Sequence, residues 1–179
     1  MAQKIILVIE DQKAMSDLLQ QAISEQVTLP VLTAQSLKEA KEIIESDVEI
    51  VVCLTDLNLP DTEEGASVPL LAKHGVTTVV LTANYTEETR QKMFQQHVAD
   101  YVIKDGMAAI NYVVRTVVSL VENSDIDIWL LSLESNKVSR RLVGLLNIQR
   151  YRISVFEDCH EVLKSLAIKT PDLLILNVF

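Results

Sequence analysis

Cysteine, glycine, proline and aromatic residues are all scarce in this chain. The two cysteines, Cys53 and Cys159, lie in apolar or mixed segments without metal-type spacing. That excludes a disulfide-stapled scaffold and a zinc site, and fits a reducing cytoplasm. Four glycines and four prolines in 179 residues exclude collagen-like repeats and low-complexity disorder. No apolar run approaches the ~18 residues of a membrane-spanning helix. The run from Ile5 to Ile9 has no cleavage-type sequence after it, so the expectation is a cytoplasmic protein, neither exported nor membrane-spanning. Positive charge is short as well: 16 Lys and Arg face 25 Asp and Glu, a net charge of −9 that argues against direct nucleic-acid binding. His74, His97 and His160 stand singly, and no glycine-rich phosphate loop or basic-aromatic surface is found.

What is present is a soluble composition with 49% apolar residues, and a length worth about 1.2 domains, ample for one core and meagre for two. Charge divides the chain. Residues 125 to 179 hold 7 acids and 7 bases, whereas the first 124 hold 18 acids and 9 bases and carry the whole of the −9. The break coincides with Glu122-Asn123-Ser124-Asp125. The expected organisation is a domain over 1–122, a short linker over 123–125 and an incomplete domain over 126–179.

Short apolar runs alternate with helical patterns in the first part. Lys4 to Ile9 reads as a strand buried on both faces, because the apolar run is continuous. Strands are also expected over Val31–Ala34, Glu49–Thr55, Val76–Thr82 and Ala99–Ile103. Between them Met15, Leu18, Leu19, Ala22 and Ile23 recur at helical spacing, and Ser36-Leu-Lys-Glu39 forms a capping box. A helix is expected to end at His74-Gly75. Another, from about Thr86 to His97, offers only Met93 and Phe94 to a core. A final helix from Gly106 turns Met107, Ile110, Val114, Val117 and Val121 to one face. Five strands each followed by a helix predict an α/β fold with a parallel sheet covered on both sides.

In such a sheet ligands bind outside the strand ends, where strand order reverses. Four strand ends carry polar residues: Glu10-Asp11, Asp56, Thr82 and Lys104. Three carboxylates brought together repel one another and invite a hard divalent cation with oxygen ligands. A hydroxyl and an ammonium facing them suit a phosphoryl group.

With VIEDQ at 8–12, TDLNLPD at 55–61, VVLTAN at 79–84 and DYVIKDG at 100–106, the first part resembles the receiver domain of bacterial two-component response regulators. The resemblance implies a flavodoxin-like doubly wound sheet of order 2-1-3-4-5. It implies that Asp56 is the phosphoacceptor and that Mg²⁺ is held by Glu10, Asp11, Asp56 and the backbone carbonyl of Asn58. Thr82 and Lys104 would contact the phosphoryl oxygens, and Tyr101 would be the switch aromatic. The implied donor is a sensor histidine kinase or phosphotransfer protein. Phosphorylation would draw Thr82 toward Asp56, let Tyr101 turn inward, and alter the surface of the fourth helix, fifth strand and fifth helix. One departure is Asp105-Gly106, where most receivers have Pro after the Lys. Asn58 and Asn84 occupy the positions two after Asp56 and Thr82 that tune phosphoryl lifetime in the family.

The second part starts the same pattern again. Strands are expected over Ile126–Leu133, Arg152–Phe156 and Pro171–Val178, with a helix from Asn136 and a capping box at Asp158-Cys-His-Glu161. Laid over the first part, Glu134 falls on Glu10, Ser135 on Asp11 and Asn177 on Asp56, a repeat cut at its midpoint. It resembles a degenerate receiver, a partial βαβαβ unit silent in phosphotransfer, with Leu173 to Phe179 left as an apolar sheet edge. That edge is expected where a chain is cut or another chain covers it. Tandem receivers of this kind resemble the input halves of GGDEF diguanylate cyclases, so the expected output is such a domain. Beyond phosphotransfer onto Asp56, no enzymatic activity is read in this chain. The alternative is a stand-alone, phosphorylation-dependent protein-interaction module, and homodimerisation is compatible with either.

Overall fold

In the computed structural model the strands form two separate parallel sheets. The structure describes residues 2–133 and 137–177. The chain divides into two compact units, Met1–Val121 and Glu122–Phe179.

The first unit runs β1 (Gln3–Ile9), α1 (Lys13–Ser24), β2 (Val31–Ala34), α2 (Leu37–Ile44), β3 (Val48–Thr55), α3 (Ser67–Lys73), β4 (Thr77–Thr82), α4 (Glu87–Gln95), β5 (Asp100–Ile103) and α5 (Gly106–Glu122). Strand order is 2-1-3-4-5, all parallel, as the flavodoxin-like expectation requires. Unbroken apolar runs form the central strands because helices cover both faces. Ile5 to Ile9 of β1, Val51 to Leu54 of β3 and Val79 to Leu81 of β4 are all buried. Each large aliphatic side chain so buried contributes about 1.5–3 kcal/mol of transfer free energy. One core cluster joins Leu7, Ile9 and Cys53 to Leu37 and Ala40 of α2, with Leu59 and Leu71. Another joins Val80 and Tyr101 to Leu57, Val68, Met93 and Val98.

Two helices differ from the sequence-based expectation. In α5 the buried stripe is Ile110, Val113, Val114, Val117 and Leu120, while Met107 is exposed and Val121 only half-buried. Both stripes have helical period. The helix is rotated so that Val113 and Leu120 face inward. In α4 only Met93 is buried, and Phe94 is exposed with the Arg90 guanidinium 4.9 Å from its ring centroid. This helix is therefore held to the sheet by fewer apolar contacts than expected.

Near the start of the second unit, residues 123–125 form a 3-10 turn. Asn123 is buried there and its Nδ2 donates to Gln149 O at 2.9 Å. Then follow β6 (Asp127–Ser132), α6 (Lys137–Ile148), β7 (Arg152–Phe156), α7 (Cys159–Leu166) and β8 (Leu173–Asn177), with strand order 7-6-8. β6 is buried along its whole length, and Trp129 and Leu131 pack with Val162, Phe156, Leu166 and Leu174. On β8, Leu173 and Leu176 are exposed.

Strand register corrects the alignment of the repeat. In the first unit Ile9 lies opposite Ala34 and Thr55; in the second Leu131 lies opposite Phe156 and Leu176. Ile9 therefore corresponds to Leu131, and Ser132 rather than Glu134 takes the position of Glu10. Asn177 retains the position of Asp56. Glu134 and Ser135 themselves lie outside the described residues. The mismatch arises because the segment between strand and helix is longer in the second unit, and motif spacing alone cannot locate the inserted residues.

Candidate functional site

Parallel pairing brings the carboxyl ends of β1, β3, β4 and β5 to one edge of the first sheet. Glu10 follows β1 and is buried. Asp56 follows β3 and is also buried, and Asp11 is exposed beside them. A carboxylate oxygen from each of the three lies within 4.8 Å of the others. Lys104, just past β5, reaches into this cluster and donates to Glu10 Oε2 at 2.7 Å and to Asp56 Oδ2 at 2.6 Å. Its side chain is 11% exposed, against 2% for Glu10 and 6% for Asp56. All three charges are thus largely shielded from water.

The electrostatics follow from this burial. Desolvation raises the Glu10 carboxyl above its ordinary range, although the Lys104 ammonium pulls the other way and Asp56 adds to the rise. Desolvation alone would lower the Lys104 pKa, but hydrogen bonds and charge from Asp56 and Glu10 outweigh it and the net shift is upward. One ammonium faces three carboxylates, leaving an excess of negative charge on oxygen-only donors. That donor set and charge fit a hard dication such as Mg²⁺, which keeps several waters and needs only one or two carboxylates.

Around the acids stand hydroxyl and amide groups. The Asn58 N–H donates to Asp56 Oδ1 at 3.2 Å and the Gln12 N–H to Glu10 Oε1 at 3.4 Å. Thr82 is fully buried, and its Oγ1 accepts from Asn58 Nδ2 at 3.5 Å and from the Asn84 N–H at 3.3 Å. Tyr101 is buried with its ring inward. Its hydroxyl donates to Asn84 O at 2.9 Å, and Tyr85 stands edge-on to it at 6.4 Å. Thus Glu10, Asp11, Asp56, Asn58, Thr82 and Lys104 converge, while Tyr101 joins them through Asn84.

The loop after β5 is built without proline. The Lys104 N–H donates to Thr82 O at 2.8 Å and the Asp105 N–H to Ile103 O at 2.8 Å, a tight turn within three residues. Gly106, the first residue of α5, then adopts φ +67, the left-handed region that glycine enters at little cost. A two-residue turn, Asp105-Gly106, thereby aims Lys104 back over the strand ends.

Sequence reading left two contacts unseen. Thr55 Oγ1 bonds Ser67 Oγ at 2.9 Å and donates to Asp56 O at 2.8 Å, tying β3 to α3. Asp61 reaches α2: its Oδ1 and Oδ2 accept from the N–H groups of Leu37 and Lys38, each at 2.9 Å. The Pro60-Asp61 pair signals a turn, and nothing local to it points to a helix 24 residues earlier.

At the corresponding edge of the second sheet, hydroxyl and amide groups meet. Ser132 Oγ lies 2.7 Å from Ser139 Oγ, and Asn177 Nδ2 donates to Ser139 Oγ at 2.8 Å. Ser132 and Asn177 of this hydrogen-bonded group stand where the first unit has the carboxylates Glu10 and Asp56.

Comparison with known proteins agrees with this geometry. The family described as response regulator receiver domain matches residues 6–115. Two solved structures of two-component system response regulator/GGDEF domain proteins superpose with a TM-score of 0.79 at 31% identity, covering 92% of this chain. The chain spans 66% of the length of each. At the level of fold alone, a CheY-like receiver domain protein from Methanospirillum hungatei JF-1 superposes with a TM-score of 0.54 at 21% identity, covering 65% of this chain and 91% of that one. The Mn²⁺-bound form of response regulator Rcp1 gives 0.52 at 22%, covering 63% and 90%. No curated protein matches. Among the described residues no helix is long and apolar enough to cross a membrane. The chain belongs to the response regulator receiver domain family of two-component signalling.

Proposed function

We propose that the first unit accepts a phosphoryl group on Asp56 from a phosphohistidine of a sensor histidine kinase or phosphotransfer protein. The observation that carries this reading is the convergence of Glu10, Asp11 and Asp56 with the Lys104 ammonium, 2.6 Å from the Asp56 carboxylate. A carboxylate oxygen of Asp56 attacks phosphorus in line, the new O–P bond forms as the P–N bond breaks, and the imidazole leaves with the electron pair and is then protonated. The ammonium of Lys104 moves from the carboxylate oxygens to the equatorial oxygens of the transferring group, and the Thr82 hydroxyl donates to another. Glu10, Asp11, Asp56 and the Asn58 carbonyl would hold Mg²⁺. When bound, the cation supplies the positive charge that lets a phosphoryl dianion approach three carboxylates. In support, a receiver of the same fold has been crystallised with Mn²⁺.

Readout runs through the β4–α4 loop. Tyr101 already rests against Asn84 O, so a Thr82 hydroxyl drawn to the phosphoryl group gives up its bond from the Asn84 N–H and loosens or resets that loop. The α4 helix, anchored by Met93 alone, is inexpensive to move. The second unit is silent in phosphotransfer, and the output is a GGDEF diguanylate cyclase domain, supported by the two relatives at 31% identity.

The test is an intact-mass measurement after incubation with Mg²⁺ and acetyl phosphate. One phosphoryl adduct is expected, absent in Asp56→Asn, and an unmodified wild type overturns the reading. For the output, the full-length gene product should convert GTP to a cyclic dinucleotide faster after phosphorylation.

A further inference from the structure

From the bonds of Asp61 we infer that this residue is a positioning residue for the acceptor site, holding the loop after β3 against the start of α2. The inference rests on the phosphoacceptor reading above and adds a residue outside its chemistry.

The loop leaves the sheet at Asp56. Leu57 is buried in one core cluster and Leu59 in the other, so successive odd residues are pinned on both sides of the exposed Asn58. Asn58 is the only residue of this stretch that addresses the acceptor. Its N–H donates to Asp56 Oδ1 and its Nδ2 to Thr82 Oγ1, and its carbonyl belongs to the proposed cation ligands. Downstream, Pro60 is exposed and carries no N–H, so the next polar anchor is Asp61. Both oxygens of that carboxylate are used, one on the Leu37 N–H and one on the Lys38 N–H.

Those two N–H groups are orphan donors of the first helical turn. The third, of Glu39, is accepted by Ser36 Oγ, and Glu39 Oε2 in turn accepts from the Gln35 N–H at 2.7 Å. The α2 start is therefore capped jointly by its own Ser36 and by a carboxylate from another loop. A negative charge there also suits the helix dipole. These backbone bonds hold the Asp61 carboxyl below its ordinary range. Since Leu37, Ala40 and Leu59 share one core cluster, α2 and the loop are joined twice, by apolar packing and by this cap. Removing the cap leaves packing of Leu59 against Leu37 and Ala40 as the remaining hold of the loop on α2. The peptide that carries the Asn58 carbonyl then loses the polar half of its downstream support.

The experiment is isothermal titration of the full chain with Mg²⁺, comparing wild type with Asp61→Ala and Asp61→Asn. Asp61→Ala is expected to weaken the Mg²⁺ dissociation constant by about threefold to tenfold, the range that follows from losing a helix cap. Asp61→Asn, which keeps one acceptor oxygen, should restore most of it. Amide exchange without metal should lose protection at both Leu37 and Lys38 in the Ala variant and at one of the two in the Asn variant. Equal Mg²⁺ affinity in all three proteins overturns the inference, even if Asp61→Ala melts at a lower temperature. A wild type that binds Mg²⁺ but takes no phosphoryl group overturns the phosphoacceptor reading and leaves this inference standing. A wild type that binds no Mg²⁺ overturns both.

Discussion

Lys104 Nζ lies 2.6 Å from Asp56 Oδ2, with both side chains largely buried and Glu10 on the other side of the ammonium. In this arrangement one cation compensates two inward-facing carboxylates, and in the proposed function the same cation would stabilise the phosphorylated form of Asp56.

Removing that cation leaves buried carboxylates uncompensated. Lys104→Ala is expected to lose about 2–4 kcal/mol of unfolding free energy at pH 7 without metal, and to recover part of it in Mg²⁺. Because the folded Lys104 pKa is raised, its contribution is fully present below about pH 10.4, the unfolded value, and fades as pH rises through the folded value. Urea unfolding at pH 7 with and without Mg²⁺, and at rising pH, checks both parts.

Glu10 works in the opposite sense. Its carboxyl is raised chiefly by burial, so the folded state binds the proton more tightly than the unfolded chain does. The cost of ionising it is absent below the unfolded pKa, grows between the unfolded and folded values, and is complete above them. Glu10→Gln should therefore be more stable than wild type at pH 7 in the absence of metal, converging with it toward pH 4 (about the unfolded value), while its Mg²⁺ affinity falls. A less stable Gln variant at pH 7 would show that the Lys104 bond outweighs burial.

At Gly106 the backbone is in the left-handed region, yet a Cβ there would meet nothing within 4 Å. Gly106→Ala should cost about 1–2 kcal/mol, purely from backbone strain, and Gly106→Asn less. Denaturant midpoints at constant m-value measure the difference.

The Tyr101 hydroxyl satisfies Asn84 O in a half-buried setting. Tyr101→Phe should lose about 1 kcal/mol and leave phosphorylation by acetyl phosphate unchanged in rate. Tyr101→Ala, which empties a place in the cluster of Leu57, Val80, Met93 and Val98, should lose about 3 kcal/mol or more. Calorimetric melting together with the adduct time course separates the hydroxyl from the ring.

In the second unit, Asn177→Asp supplies a carboxylate at the acceptor position but beside Ser132 and Ser139. Placed in an Asp56→Asn background it is expected to give no phosphoryl adduct by intact mass, since Ser132 stands where the first unit has Glu10.

Much of the first unit was legible before folding. Continuous apolar runs located the five strands to within a few residues, the strand ends named Glu10, Asp11, Asp56, Thr82 and Lys104, and the resemblance to receivers added Asn58. Where reading failed, two local patterns competed or a partner lay far away. Met107 and Val121 fit a helical stripe as well as Val113 and Leu120 do, and only packing against the sheet selects the latter pair. Ser36 accepts from the Glu39 N–H as a capping box requires, but Glu39 bonds the Gln35 N–H rather than that of Ser36. At Asp158 the side chain takes the His160 N–H. Cap residues identify a helix start without choosing which of several free N–H groups they meet.

By itself the sequence determined the number and order of the strands and the residues that end them. Hydrophobic period and chain connectivity are properties of consecutive residues, and right-handed crossovers leave a parallel sheet one edge for those ends. Tertiary structure decided which charges touch: that Lys104 bridges Glu10 and Asp56, that Asp61 caps a helix 24 residues away, and that Ser132 rather than Glu134 stands at the position of Glu10. Those facts depend on strand register and loop path. Both are set by how side chains of separate elements pack together, and no spacing along the chain encodes that packing.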